Sequence, residues 1–176
     1  MDLAQDFMYT DCGERVTLLW LLNYHFQKIL ASIDGIPDDS LFRRPAKHLN
    51  PPGWIFAHMA VKERDHIAGF VQGANDVPAK YAIFRGGRLP SEDEMRVSVA
   101  DIAEITEYYR QVRGNTADYL ASIEDSDLKD VPGHVNQDPI REFFVMTIQH
   151  QYCHWGELET IRNLLVPTAA ITGAST

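Results

Sequence analysis

Residues 150–157 read HQYCHWGE, two histidines four apart followed by a glutamate three residues after the second. A helix advances about 100° per residue, so with Phe143 at zero His150 falls near −20°, His154 near +20° and Glu157 near −40°. Ile161 and Leu165 continue the same stripe, which makes it an apolar face that must turn inward. The sequence therefore points two imidazoles and a carboxylate into an apolar interior. An unpaired buried polar group costs on the order of 1–3 kcal/mol, so these side chains need partners. A metal ion is one answer, because histidines at i and i+4 lie one turn apart and can converge on a single ion. A hydrogen-bonded core pair or a wet cavity is the other.

A metal reading needs a third ligand from another helix. Trp54, His58, Val61, Asp65 and Ala68 share one stripe of a second helix, so His58 also points inward. His66 lies about 80° off that stripe, and His25 stands at the edge of the apolar face of the first helix. His48 and His134 fall in loops, where exposure is expected. His58, His150 and His154 are thus the candidate ligands, and a three-histidine set leaves positions open for water or substrate, the arrangement of a catalytic site. Glu157 is the candidate base or orienting partner of His154, with an ion pair to Arg162 or Lys62 as the structural alternative. Arg85 and Arg88, flanking Gly86-Gly87, could hold a substrate carboxylate, against the simpler reading of a solvated turn. Cys153 is expected to be a buried, inert thiol.

Helices must position these groups, and the chain carries four long helical patterns with almost no alternating strand signal. The first spans Glu14 to Ile33, closed by Gly35 and Pro37. The second follows the breaker NPPG and spans Trp54 to Gln72. The third starts at SEDE, where Ser91 and Glu94 form a capping box, and continues to Ile123 with a soft spot at Gly114-Asn115. The fourth starts at Asp138-Pro139, an N-cap followed by proline, and runs to Leu165 before Pro167. Residues 1–12 and 167–176 read as loosely ordered ends of one domain spanning 1–176. The expected fold is all-α, a four-helix bundle. The connection from Gly73 to Pro90 is long enough to run back along the second helix, so the second and third helices can lie parallel across it.

Composition bounds the partners. The chain has 176 residues, 45% hydrophobic and 23% charged, with a formal charge of −9. That balance argues against nucleic acid or an anionic membrane as partner and leaves a small molecule. No apolar run approaches the length of a membrane span, no secretory signal is visible, and two lone cysteines, Cys12 and Cys153, suit a reducing cytoplasm.

PPGWIFAHMA at 51–60 and HQYCHWGELETIR at 150–162 resemble the W-x3-H and H-x3-H-x-G-(Q/E)-L-x3-R segments of the DinB-like superfamily of metal-binding four-helix bundles. The resemblance covers most of the chain. It implies a three-histidine site at His58, His150 and His154, nickel or zinc as the metal, an up-down-down-up topology and a homodimer. It also implies a transferase or isomerase using a low-molecular-weight thiol such as mycothiol or bacillithiol. The leading expectation is a metal-dependent enzyme that activates a thiol for attack on a small electrophile. A hydrolase activating water, and a non-catalytic binding or stress protein, are the alternatives.

Overall fold

The computed structural model describes residues 13–74, 77–133 and 138–166, and among these the regular elements are all helical. The long elements are α1 (Glu14–Ile33), α2 (Pro52–Arg64), a short α3 (Glu92–Ser98), α4 (Ile102–Ser122) and α5 (Ile140–Leu165). The expected terminal segments, 1–12 and 167–176, lie outside the described residues, as do Cys12 and His134. No helix among the described residues is long and apolar enough to cross a membrane.

Side-chain contacts set the directions of the helices. Along α1 and α5, Glu14 meets Arg141, His25 meets Trp155 and Ser32 meets Glu159, so these two run the same way. Along α2 and α5, His58 meets His154, Glu63 meets Gln151 and His66 meets Thr147, so these run in opposite directions. Phe56 and Glu63 of α2 meet Tyr109 and Arg113 of α4, which makes that pair parallel. The 73–90 connection is what allows the parallel pair: it returns the chain to the starting end of α2, taking one short 3-10 turn at Ala79–Phe84 on the way.

Three local readings need correction. The third helical pattern is not one helix. Ser91 does cap α3 with the expected capping box, but the chain then breaks at Val99, which is extended and fully buried, and Asp101 caps a new helix by accepting from the backbone N–H of Glu104 at 2.9 Å. An aspartate cap outweighs helical continuation here because a buried Val99 anchors the break. Gly114-Asn115, the expected soft spot, sits within unbroken α4. At α5 the N-cap is Pro139 rather than Asp138, and the helix starts one residue later, at Ile140. Finally, α2 does not continue as an α-helix to Gln72. From Asp65 to Val71 it widens into a π-helical turn, with the Gln72 N–H donating to the Ile67 carbonyl at 3.0 Å.

The core is aromatic at its centre, where Tyr109 of α4 takes Phe26 of α1 edge-on at 4.9 Å and Phe56 of α2 at 5.5 Å. Just beyond lies a polar cluster that periodicity does not reveal. Glu63 Oε2 accepts from Arg113 Nη2 and from Gln151 Nε2, both at 2.7 Å, and Arg113 also donates to Gln151 Oε1 at 3.1 Å. All three side chains are buried. Burial pushes the Glu63 carboxyl up while Arg113 pulls it down. Removing one partner would strand a buried charge, a change that costs about 3–5 kcal/mol in such sites. The cluster therefore ties α2, α4 and α5 into one register.

Glycines test this packing in opposite directions. At Gly114 an added Cβ meets nothing within 4 Å. Gly114→Ala is expected to stabilise the protein by about 0.5–1 kcal/mol, through helix propensity and a less flexible unfolded chain. At Gly53 an added Cβ would lie 2.7 Å from Leu41 Cγ and 2.8 Å from Phe42 Cε1. Gly53→Ala is expected to destabilise by about 1–3 kcal/mol. Denaturant melts of both variants check the pair, and shifts of the same sign would contradict it.

Candidate metal centre

The centre is built where the first turns of α2 cross the middle of α5. Pro52 at the start of α2 suits a first helical turn, where its missing N–H is not needed. One turn later Trp54 stacks on His58 at 4.5 Å and 11°, which holds the imidazole against the helix. His58 Nδ1 lies 2.6 Å from the Phe84 carbonyl. A carbonyl can only accept, so Nδ1 carries the proton and Nε2 carries the lone pair. The connection closes in on the other side, where Gly86, at φ +106°, lies with its Cβ direction 3.4 Å from His58 Cε1. The positive φ and the close approach both favour glycine there.

His154 is fixed by the same logic. Its Nδ1 stands 3.1 Å from Glu157 Oε2, and Glu157 Oε1 in turn accepts from the Asn50 backbone N–H and Nδ2, each at 3.3 Å. The hydrogen bond from His154 holds the Glu157 carboxyl below its ordinary range, against the opposing effect of burial and with help from Asn50. An ionised carboxylate only accepts, so His154 Nδ1 is the donor and its Nε2 is free.

His150 completes the group, with its Nε2 3.2 Å from His58 Nε2. Ring centroids are 5.0 Å apart for His58–His150, 5.3 Å for His58–His154 and 4.6 Å for His150–His154. One ligand atom from each of the three lies within 4.8 Å of the others, so the set could hold a metal ion. The chemistry of the donors fits one. His58 cannot donate from Nε2, and neither can His154. A proton on His150 Nε2 would satisfy one of the facing lone pairs, whereas a divalent cation would satisfy all three. The rings are ready for it at neutral pH: burial lowers His58 to about 4 and His150 to about 3, with the neighbouring imidazoles pushing the same way. His150 and His154 are only partly buried, which leaves the group reachable from outside.

The other sequence candidates fall elsewhere. Asp65 pairs with Arg85, whose Nη2 and Nε lie 3.0 and 3.3 Å from Asp65 Oδ1. Arg88 forms a two-pronged pair with Glu94 at 2.7 and 3.1 Å on the exposed surface. A substrate carboxylate at either arginine would have to compete with these partners. His25 is more buried than its edge position suggested, packed among Tyr24, Tyr152 and Trp155 and away from the three-histidine group. His48 is exposed, as expected of its loop. Cys153 is exposed rather than buried, because a position about 100° from His154 on α5 faces away from the bundle.

His66 is the residue that its sequence position misrepresents. It is 7% exposed, its Nδ1 is 3.0 Å from Thr147 Oγ1, and its ring stands edge-on to His150 at 6.1 Å and 76°. A single apolar stripe implies a single buried face. Here every residue from Pro52 to Val61 is buried, so α2 is enclosed on several sides and a position 80° from His58 still meets α5. The visible signal was the absence of any polar face at 52–61.

A family model described as mycothiol-S-transferase matches residues 17–167. Among solved structures, a conserved protein from Enterococcus faecalis superposes with a TM-score of 0.71 at 15% identity, over 88% of this chain and 98% of that one. A protein from Streptococcus pneumoniae does so with a TM-score of 0.63 at 12% identity, over 90% and 96%. At these identities the two share the fold with this chain. No curated protein matches.

The depressed imidazoles predict a pH signature in the metal-free protein. Folded-state values near 3–4 lie below the ordinary 6.5. The unfolded chain therefore takes up protons first as pH falls, and stability present above about pH 6.5 is lost progressively toward about pH 4. With chelator present, the melting temperature is expected to fall between pH 7 and pH 5, and His150→Phe is expected to flatten that slope. Equal slopes in the two proteins would contradict it.

Proposed function

The chain belongs to the mycothiol-S-transferase family of DinB-like proteins, and from that premise we propose that it is a metal-dependent thiol transferase. In this reading His58, His150 and His154 hold a divalent ion, nickel or zinc, and the enzyme directs mycothiol or a similar low-molecular-weight thiol onto a small electrophile. The observation that carries the reading is the convergence of three imidazoles, two of them with Nε2 left unprotonated by partners on their Nδ1.

The chemistry a divalent ion supplies when bound is acidification of a thiol beside it, so that the thiolate, the competent nucleophile, prevails at neutral pH. The chain's own residues do the rest. Phe84 and Glu157 hold His58 and His154 in the tautomers that present Nε2. Glu157 touches the far nitrogen of His154, which is the contact of an orienting partner. Three neutral rings bring no negative charge to the centre. Lys62, partly exposed, adds positive potential that acts on His58, His66 and His150, opposed by Asp65 at the first two, and a bound divalent ion would add its own charge. An anionic thiolate is therefore favoured over a second cation there. Of the two arginines suggested for a substrate carboxylate, Arg85 follows Phe84 in the chain and is paired with Asp65, which a carboxylate would have to displace.

Metal analysis and thiol turnover test the proposal. His150→Ala or His154→Ala is expected to abolish most nickel or zinc uptake, while His48→Ala leaves it intact. Glu157→Gln is expected to keep most of the metal and lower thiol-transfer turnover by about 10–100-fold, the usual cost of losing an outer partner of a ligating histidine. Full metal uptake by the two ligand variants would refute the site. A metal-loaded wild-type protein inert toward a panel of thiols and electrophiles would refute the transferase reading, and hydrolysis of an ester or amide panel by the same protein would put the hydrolase in its place.

A further inference from the structure

We propose that His66 is a ligand-contacting residue of this centre: a hydrogen-bond acceptor, locked in one tautomer, that receives an N–H or O–H hydrogen from the body of a small thiol, or from a water, bound beside the three histidines. The inference rests on the metal reading given for the three-histidine group and adds a residue that the three-histidine pattern does not contain.

The lock is a short relay. The Thr147 hydroxyl donates its single hydrogen to the Phe143 carbonyl at 2.7 Å, one turn back along α5. Its oxygen can then only accept from His66 Nδ1, 3.0 Å away. His66 must therefore carry its proton on Nδ1 and its lone pair on Nε2. Both members of the relay are buried, Thr147 to 1% and His66 to 7% exposure, so water does not compete for Nδ1. Burial also keeps the ring neutral, lowering it to about 4.

The free Nε2 then needs a donor. Among the described residues none is found for it. With Nδ1 fixed, Nε2 is the ring's one remaining acceptor, and it is not among the buried unpartnered atoms, so a small donor arriving at the centre can reach it. Its surroundings say which. His150 lies edge-on at 6.1 Å, so the ring borders the three-histidine group, yet it falls outside the set whose ligand atoms lie within 4.8 Å of one another. That separation suits a contact to what occupies the open side of the centre rather than a fourth ligand. On its other face His66 stacks with Phe70 at 6.1 Å and 22°, and Phe70, 43% exposed, in turn meets Phe143 at 5.8 Å. The acceptor is thus backed by an apolar aromatic wall at the surface, a combination that suits a neutral N–H or O–H donor on a ligand with an apolar body. The π-helical turn at 65–71 carries both His66 and Phe70, and such turns recur at functional sites.

The test uses the full chain loaded with cobalt(II), whose visible bands report its ligands, and N-acetylcysteine as the thiol probe. His66→Phe keeps the stack with Phe70 and removes the acceptor. Thr147→Val keeps the shape of Thr147 and releases the tautomer, and Thr147→Ser preserves the relay. Cobalt content is expected to stay at the wild-type level in all three. The affinity for the thiol, read from the thiolate-to-cobalt band, is expected to fall about tenfold in His66→Phe and measurably in Thr147→Val, and to hold in Thr147→Ser. Nitrogen-15 spectra of the metal-free wild type are expected to show the Nδ1-protonated tautomer at His66. A wild-type thiol band that neither His66→Phe nor Thr147→Val weakens overturns this inference alone, as does an Nε2-protonated His66 or cobalt loss in His66→Phe equal to that in His154→Ala. A wild-type protein that takes up cobalt and shows no thiol band overturns the thiol reading and this inference together.

Discussion

His58 and His150 face one another across the seam between α2 and α5 with their Nε2 atoms 3.2 Å apart. The Phe84 carbonyl takes the only proton His58 can carry as a neutral ring, so the lone pair of His58 has to meet something positive. Much of the surrounding structure serves this one contact. Trp54 stacks behind His58, Gly86 lets the connection come close beside it, and Glu157 turns His154 into the same corner. Each of these removes a freedom that the imidazoles would otherwise lose on binding an ion, which is how an outer layer of partners strengthens a site.

Holding two helices in register at one point requires an anchor elsewhere along the same seam. The buried Glu63–Arg113–Gln151 cluster is well placed for that. It lies between the His58–His154 and His66–Thr147 contacts and reaches α4 as well. An apolar cluster of the same volume would hold the helices with comparable strength, because burying an ion pair has a desolvation cost of several kcal/mol per charge. What directional hydrogen bonds add is register. Gln151 follows His150 directly, so a slip of α5 by one residue would break both Gln151 bonds, at 2.7 and 3.1 Å, as well as the histidine group.

The electrostatics divide between surface and site. The chain is acidic overall, with a formal charge of −9, and its exposed pairs, such as Arg88–Glu94, add little to stability. The centre itself is neutral in its ligands and close to Lys62. There Lys62 and Asp65 act on His58 and His66 in opposite directions.

Much of this was legible in the sequence by itself. A 3.6-residue period and its capping residues locate the long helices, because both are set by contacts within a few residues: α1 runs over the expected Glu14–Ile33, and Ser91 with Glu94 caps as written. The same period places His58, His150 and His154 on inward faces, since a polar residue inside an apolar stripe stands out. Tertiary structure decided the remainder, and apart from Glu157 beside His154 the deciding partner is distant in the chain. The break before α4 depends on Val99 finding the core, and the enclosure of α2 depends on its being packed on several sides. Glu63 is indistinguishable from a surface glutamate until Arg113 and Gln151 arrive from two other helices. His66 reads as peripheral until Thr147 meets it, and the tautomers of His58, His66 and His154 follow from three different acceptors, only one of them on the same helix. Periodicity reports which way a side chain points along its own helix; what it meets there is fixed by packing between helices, and that is where the hydrogen bonds that define the chemistry are made.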